Sequence, residues 1–147
     1  MSVGDRVAIG DLVGRYADAV NLVDADLWGS TWAAECIWEL GPDRLLRGRN
    51  DVVAHWRQAM ASFESVIQIV AHGSACVDDA GAIGRWTLFE VNQREATSWL
   101  TVGCYEDRYV RDDTRGWLFA ERHFTVTYRG GLPDGAFSPF PPLSEPR

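Results

Sequence analysis

The chain has 147 residues and a formal net charge of −7, from 14 Lys and Arg against 21 Asp and Glu. That is the length of one domain with room for a sizeable core, and an acidic chain without any Lys/Arg run offers no stripe to track phosphates, so no nucleic-acid partner is expected. No apolar stretch approaches the roughly 20 residues that span a bilayer, and the start MSVGDRVAIG lacks a basic segment before an apolar one; a cytoplasmic protein with no membrane partner is expected.

Helical periodicity runs from about Asp5 to Val23. Ile9, Leu12, Val13, Tyr16, Ala17 and Val20 recur at the spacing of a buried helical stripe, so Tyr16 points inward. Asn21 falls at the edge of that stripe near the helix end, where a polar side chain can look into a cavity. An inward phenol beside an amide is raw material for a small-molecule site. A buried tyrosine also serves as core, and an Asn also ends helices. Asp24 and Asp26 can each accept from the free N–H groups of a second helix, expected over Asp26 to Glu35.

Ile37 to Leu40 and Arg44 to Arg47 flank Gly41, Pro42 and Asp43, which reads as a small hairpin. A third helix follows from about Asn50 to Ser62, with Val52, Val53, Trp56, Met60 and Phe63 on one face. From Glu64 the pattern becomes four long strands: Ser65 to Val77, Ala82 to Thr97, Trp99 to Arg111 and Trp117 to Tyr128. The turn signals DDAG, TS and DDTRG separate them, so successive strands pair as an antiparallel meander. Helices first and a sheet second make an α+β domain with helices on one sheet face. The domain is expected over residues 1–132. The Pro-rich segment 133–147 cannot continue the sheet and is expected to run extended over the surface.

Cys36, Cys76 and Cys104 are odd in number and widely spaced in apolar sequence, which reads as buried reduced thiols. Seven Trp, six Phe and four Tyr point to an aromatic-lined interior. Strand alternation puts Gln68 and His72 on one face, about 13 Å apart. It also puts Thr101, Tyr105, Asp107 and Tyr109 on one face of the third long strand, and Arg122 and His123 on opposite faces of the last, leaving open which of the two points inward. His72, mid-strand and titrating near neutral pH, is the acid–base candidate, although a lone strand His is also a structural residue. His55 sits on a polar helix and reads as solvated. No pair of His has metal-ligand spacing, and no glycine-rich phosphate loop or nucleophile elbow is present, so neither metal nor cofactor is expected.

The order of elements, with IGDLVGRYADAVNLVDADLW, AECIWEL, GCYEDRYVRDD and GWLFAER, resembles the SnoaL-like families of the nuclear transport factor 2-like superfamily, and within it scytalone dehydratase, bile acid 7α-dehydratase and hexachlorocyclohexane dehydrochlorinase. The resemblance covers the chain to about Leu132. It implies a cone built from a curved antiparallel sheet covered by three N-terminal helices, the cystatin-like arrangement, holding apolar ring compounds. In those lyases the first helix carries a catalytic Asp and the first long strand a proton-abstracting His. The resemblance puts Asn21 at the first position and Gln68, to within one residue, at the second, so an amide replaces each titratable group. It also matches Tyr16 to a substrate-facing tyrosine and Trp38 to a pocket tryptophan.

The expected function is therefore a cofactor-independent lyase, isomerase or polyketide cyclase-like activity on an apolar ring-containing metabolite. Tyr16, Asn21 and His72 are the catalytic candidates; Trp38, Trp56, Gln68, Tyr105 and His123 are the substrate-binding ones. The alternatives are a ligand-binding relative that lost the dyad and a partner subunit of an enzyme complex. A homodimer or higher homo-oligomer through the uncovered sheet face is also expected.

Overall fold

The structure, a computed structural model, describes residues 3–133. The first helix, α1 (Val3–Leu22), buries Ile9, Leu12, Val13, Tyr16, Ala17, Ala19 and Val20, the expected stripe with Ala19 added. It ends where Val23 takes a φ of 54°. Asp24 then starts α2 (Ala25–Ser30), its carboxylate accepting from Asp26 N and Leu27 N at 3.1 and 2.9 Å.

The second helix stops at Ser30, five residues short of the expected end. The Thr31 hydroxyl donates back to Trp28 O at 2.6 Å, and Phe119 N donates to Thr31 O at 2.9 Å, which pulls the chain into strand β1 (Trp32–Glu39). Trp28 and Trp32 lie four apart and mimic a helical stripe. Pairing with the last strand decides otherwise, and Trp32, Cys36 and Trp38 are all buried along the strand. With β2 (Leu45–Arg47), β1 forms the expected antiparallel hairpin, and α3 (Arg49–Met60) follows.

The meander comprises β3 (Ser65–Asp78), β4 (Gly81–Arg94), β5 (Thr97–Asp112) and β6 (Gly116–Gly131), and its three pairings are antiparallel as expected. The sheet has six strands in the order β2-β1-β6-β5-β4-β3, because the hairpin joins it through a parallel β1–β6 pairing that the sequence did not announce. The β4–β5 turn lies at Glu95 and Ala96, both at positive φ (49° and 59°), two residues before the expected Thr97–Ser98. Of the tail expected over residues 133–147, residues 134–147 lie outside the described residues.

Bulges set which side chains enter the interior. The β3–β4 register shifts between Val70 and His72, so Ala71 has no partner and every residue after it changes face. On the inner face Gln68, Glu90 and Thr101 stand side by side across β3, β4 and β5. Further along, Asp107 faces Arg122 and Tyr109 faces Phe119, with a second shift leaving Ala120 unpaired. Two glycines make room for rings on this face. A Cβ at Gly73 would come within 2.2 Å of the Trp86 ring, and one at Gly103 within 2.3 Å of Phe124.

The core lies between this face and the helices. Trp28 and Trp32 are fully buried, and each removes about 200 Å² from water, roughly 5 kcal/mol of transfer free energy. Trp56 of α3 stacks on Trp28 with ring centroids 4.8 Å apart and an interplanar angle of 13°.

Candidate functional site

Asn21, at the end of α1, is fully engaged with backbone. Its Oδ1 accepts from Gln68 N at 2.7 Å and its Nδ2 donates to Gln68 O at 3.0 Å, so the amide behaves like a strand neighbour and pins α1 to β3. Gln68 is thereby held with its side chain on the inner face. Its Nε2 donates to Glu90 Oε2 at 2.9 Å and to the Tyr105 hydroxyl at 3.1 Å. A carboxylate cannot donate, so Glu90 dictates which way round the amide sits, and Gln68 Oε1 is left buried with no partner.

From Tyr105 the site continues to Tyr16, the two rings lying edge-on with centroids 5.9 Å apart. Burial raises both phenols above their ordinary range; the Arg122 charge opposes this at both, while Tyr16 adds to it at Tyr105. Both therefore stay protonated at neutral pH and keep an O–H to donate.

Arg122 enters the interior, which settles the alternation on β6. It is fully buried, donates from Nε and Nη2 to Asp107 at 2.8 Å each, and lies 3.7, 4.0 and 4.3 Å from the Tyr105, Phe119 and Tyr16 ring centroids. Burial works against its charge, but Asp107 outweighs this and holds it protonated. Tyr109 donates to Asp107 Oδ2 at 2.7 Å and accepts from Trp86 Nε1 at 2.8 Å, closing a buried network. Burial, then the Asp107 charge, raises the Tyr109 phenol. Arg122 Nη1 and the indole nitrogens of Trp28, Trp32 and Trp38 remain buried without an acceptor.

Of the expected site residues, Tyr16, Gln68, Tyr105 and Trp38 share this interior, Asn21 borders it, and Trp56 belongs to the tryptophan stack behind it. His72 is not there. The Ala71 bulge turns it to the outer face, where it is exposed and its Nε2 lies 3.4 Å from Thr87 Oγ1. His123 also faces outward, opposite Glu106, with Nδ1 2.6 Å from Glu39 and Nε2 3.4 Å from Glu121. It lines an outer groove of about 430 Å³ with Cys76, Arg85 and Glu106. Cys76 is exposed, again through the bulge, while Cys36 and Cys104 are buried and all three are free. Burial pushes the Cys36 thiol up to about 11. His55 is half-buried and meets Arg44 Nη2 at 3.1 Å.

Glu90, Asn92, Thr101 and the Arg122–Asp107 pair escaped the sequence reading as site residues. Unbroken register through the DDAG turn pairs Gln68 with Val91, and through the last turn pairs Asp107 with Glu121. The bulges at Ala71 and Ala120 move each by one residue, to Glu90 and Arg122. Among the described residues no cluster of His, Cys, Asp and Glu could hold a metal ion, and no helix is long and apolar enough to cross a membrane.

The SnoaL-like domain family matches residues 1–123 of the chain. Among solved structures the chain is similar to the Kfla4162 protein from Kribbella flavida, at 22% identity and a TM-score of 0.79 over 86% of this chain and 93% of that one. It is similar to hexachlorocyclohexane dehydrochlorinase LinA-type3 from Novosphingobium barchaimii LL02, at 19% identity and a TM-score of 0.79 over 94% and 99%. A nuclear transport factor 2-like superfamily protein from Salmonella enterica aligns at 15% identity and a TM-score of 0.78 over 90% and 97%. No curated protein matches the chain in sequence.

Proposed function

The chain belongs to the SnoaL-like domain family, and from that premise we propose that it is a lyase or isomerase acting on a ring-containing, largely apolar metabolite with its own side chains. The observation that carries the reading is the hydrogen-bonded run from Glu90 through Gln68 to Tyr105 on the inner sheet face, with Tyr16 edge-on to Tyr105 in an aromatic surround. The resemblance puts Asn21 at the position of the Asp and, to within one residue, Gln68 at that of the His of the related lyases, and neither amide takes a proton at neutral pH. Glu90, one strand over and bonded to Gln68, is the carboxylate in reach of the same space.

In an elimination, Glu90 removes a proton from a ring carbon, the C–H electron pair becomes the new double bond, and the leaving group departs. Where that group is hydroxide, a buried phenol supplies the proton that makes it water, and the Glu90 proton restores the phenol. Gln68 holds the carboxylate in place. General-base catalysis is worth about 10²–10⁴-fold, so Glu90→Gln is expected to lower turnover by that factor while leaving affinity near that of the parent. The assay is a panel of hydroxylated and halogenated alicyclic compounds followed by the absorbance of the new double bond. Equal rates for parent and Glu90→Gln would remove Glu90 from the mechanism.

The second reading is a ligand-binding relative without turnover. It is favoured by Asn21, whose two polar atoms are both spent on backbone where the lyases keep a carboxylate. Saturable binding with no conversion across the panel would decide for it.

A further inference from the structure

Three acceptor-bearing side chains lie on adjacent strands of the inner face, each almost completely buried: Gln68 on β3, Asn92 on β4 and Thr101 on β5, at 3%, 2% and 1% exposure. Gln68 and Thr101 are both in register with Glu90, and Asn92 is the next inner residue along β4. Gln68 Oε1, Asn92 Oδ1 and Thr101 Oγ1 have no hydrogen-bond partner among the described residues. A buried unpaired polar atom costs about 1–3 kcal/mol, and native proteins leave few of them. Three in one patch are therefore a cost that the free protein carries and a bound group can remove.

We infer that this patch is a polar subsite on the inner sheet face and that it recognises the hydroxyl edge of a ring compound, preferably two neighbouring hydroxyls. The inference rests on the function proposed above and names the substrate class for it. Two of the three atoms only accept, so the bound group has to donate. All three are neutral, which fits a hydroxyl better than an ammonium ion. A hydroxyl can also accept in return from Thr101, whose O–H has no acceptor of its own. The orientation is imposed, because Glu90 and Tyr105 take both Gln68 Nε2 hydrogens and leave Oε1 as the free acceptor.

The test compares 2,3-dihydroxynaphthalene, 2,3-dimethoxynaphthalene and naphthalene as probes, by calorimetry, on the parent and on Thr101→Val, together with the melting temperature of each free protein. The diol is expected to bind the parent at least about tenfold more tightly than the dimethyl ether, the equivalent of one hydrogen bond. Thr101→Val is expected to weaken the diol about tenfold, to leave the ether within about twofold, and to raise the melting temperature, since it deletes an unpaired hydroxyl without changing volume. Naphthalene and the ether binding as well as the diol would overturn the subsite and leave the proposed function standing. No binding by any probe would overturn both. A lower melting temperature in Thr101→Val would also overturn the subsite, by showing that the hydroxyl has an internal partner.

Discussion

At Asn21 a side-chain amide is used as if it were backbone: one acceptor and one donor meet the N–H and C=O of Gln68. A carboxylate of the same size could not copy this, because one of its oxygens would face the Gln68 carbonyl. Asn21→Asp is therefore expected to destabilise the fold by about 1–3 kcal/mol at pH 7, read from urea unfolding. Protonation restores a donor, so the folded state raises the pKa of the new acid, and the deficit relative to the parent is expected to shrink as the pH falls through that raised value. The pairing of Asp107 with Arg122 is a harder constraint. Both side chains are wholly excluded from water, and removing one charge strands the other. Asp107→Asn is expected to cost about 3–5 kcal/mol in the same measurement.

Between elements, the parallel β1–β6 pairing is reinforced by His123 of β6, which lies against Glu39 of β1 and Glu121 of its own strand. Burial opposes its protonation, but hydrogen bonds to the two carboxylates prevail and lift its pKa above 6.5. A raised histidine pKa contributes stability that is complete below the unfolded value, about 6.5, and is lost as the pH rises through the folded value. The melting temperature of the parent is thus expected to decline over that window relative to His123→Gln, which lacks the titration. No difference in slope between the two proteins would dismiss the clamp. The β4–β5 hairpin carries a different cost. Glu95 and Ala96 both adopt the left-handed region that a two-residue turn of this twist requires, where neither side chain is at ease. Replacing the pair by Asn-Gly is expected to stabilise by about 0.5–1 kcal/mol, visible as a higher melting temperature.

Across the whole molecule, helices cover one face of the sheet and leave the other bare. Ile69, Ile83, Phe89 and Val110 stand there 56%, 58%, 39% and 40% exposed. Self-association through this face is expected at micromolar concentration, and Phe89→Lys should dissociate it in sedimentation experiments; a monomeric parent would count against it. The element order, the inward Tyr16 and the antiparallel meander were legible in the sequence because each depends on local periodicity and on turn residues, which a linear pattern carries. The early end of α2 was not, since Trp28 and Trp32 satisfy helical spacing and only the distant partner strand, at Phe119, overrules it. Nor was the composition of the site. Alternation along a strand predicts facing only until a residue is skipped, and nothing in the residues around Ala71 or Ala120 announces a bulge. One skipped residue in β3 carried His72 out of the interior and moved Gln68 from Val91 to Glu90; one in β6 brought Arg122 opposite Asp107. The sequence by itself determined which residues are apolar enough to build the cone, and tertiary pairing decided which polar groups meet inside it, because register is a property of two strands together.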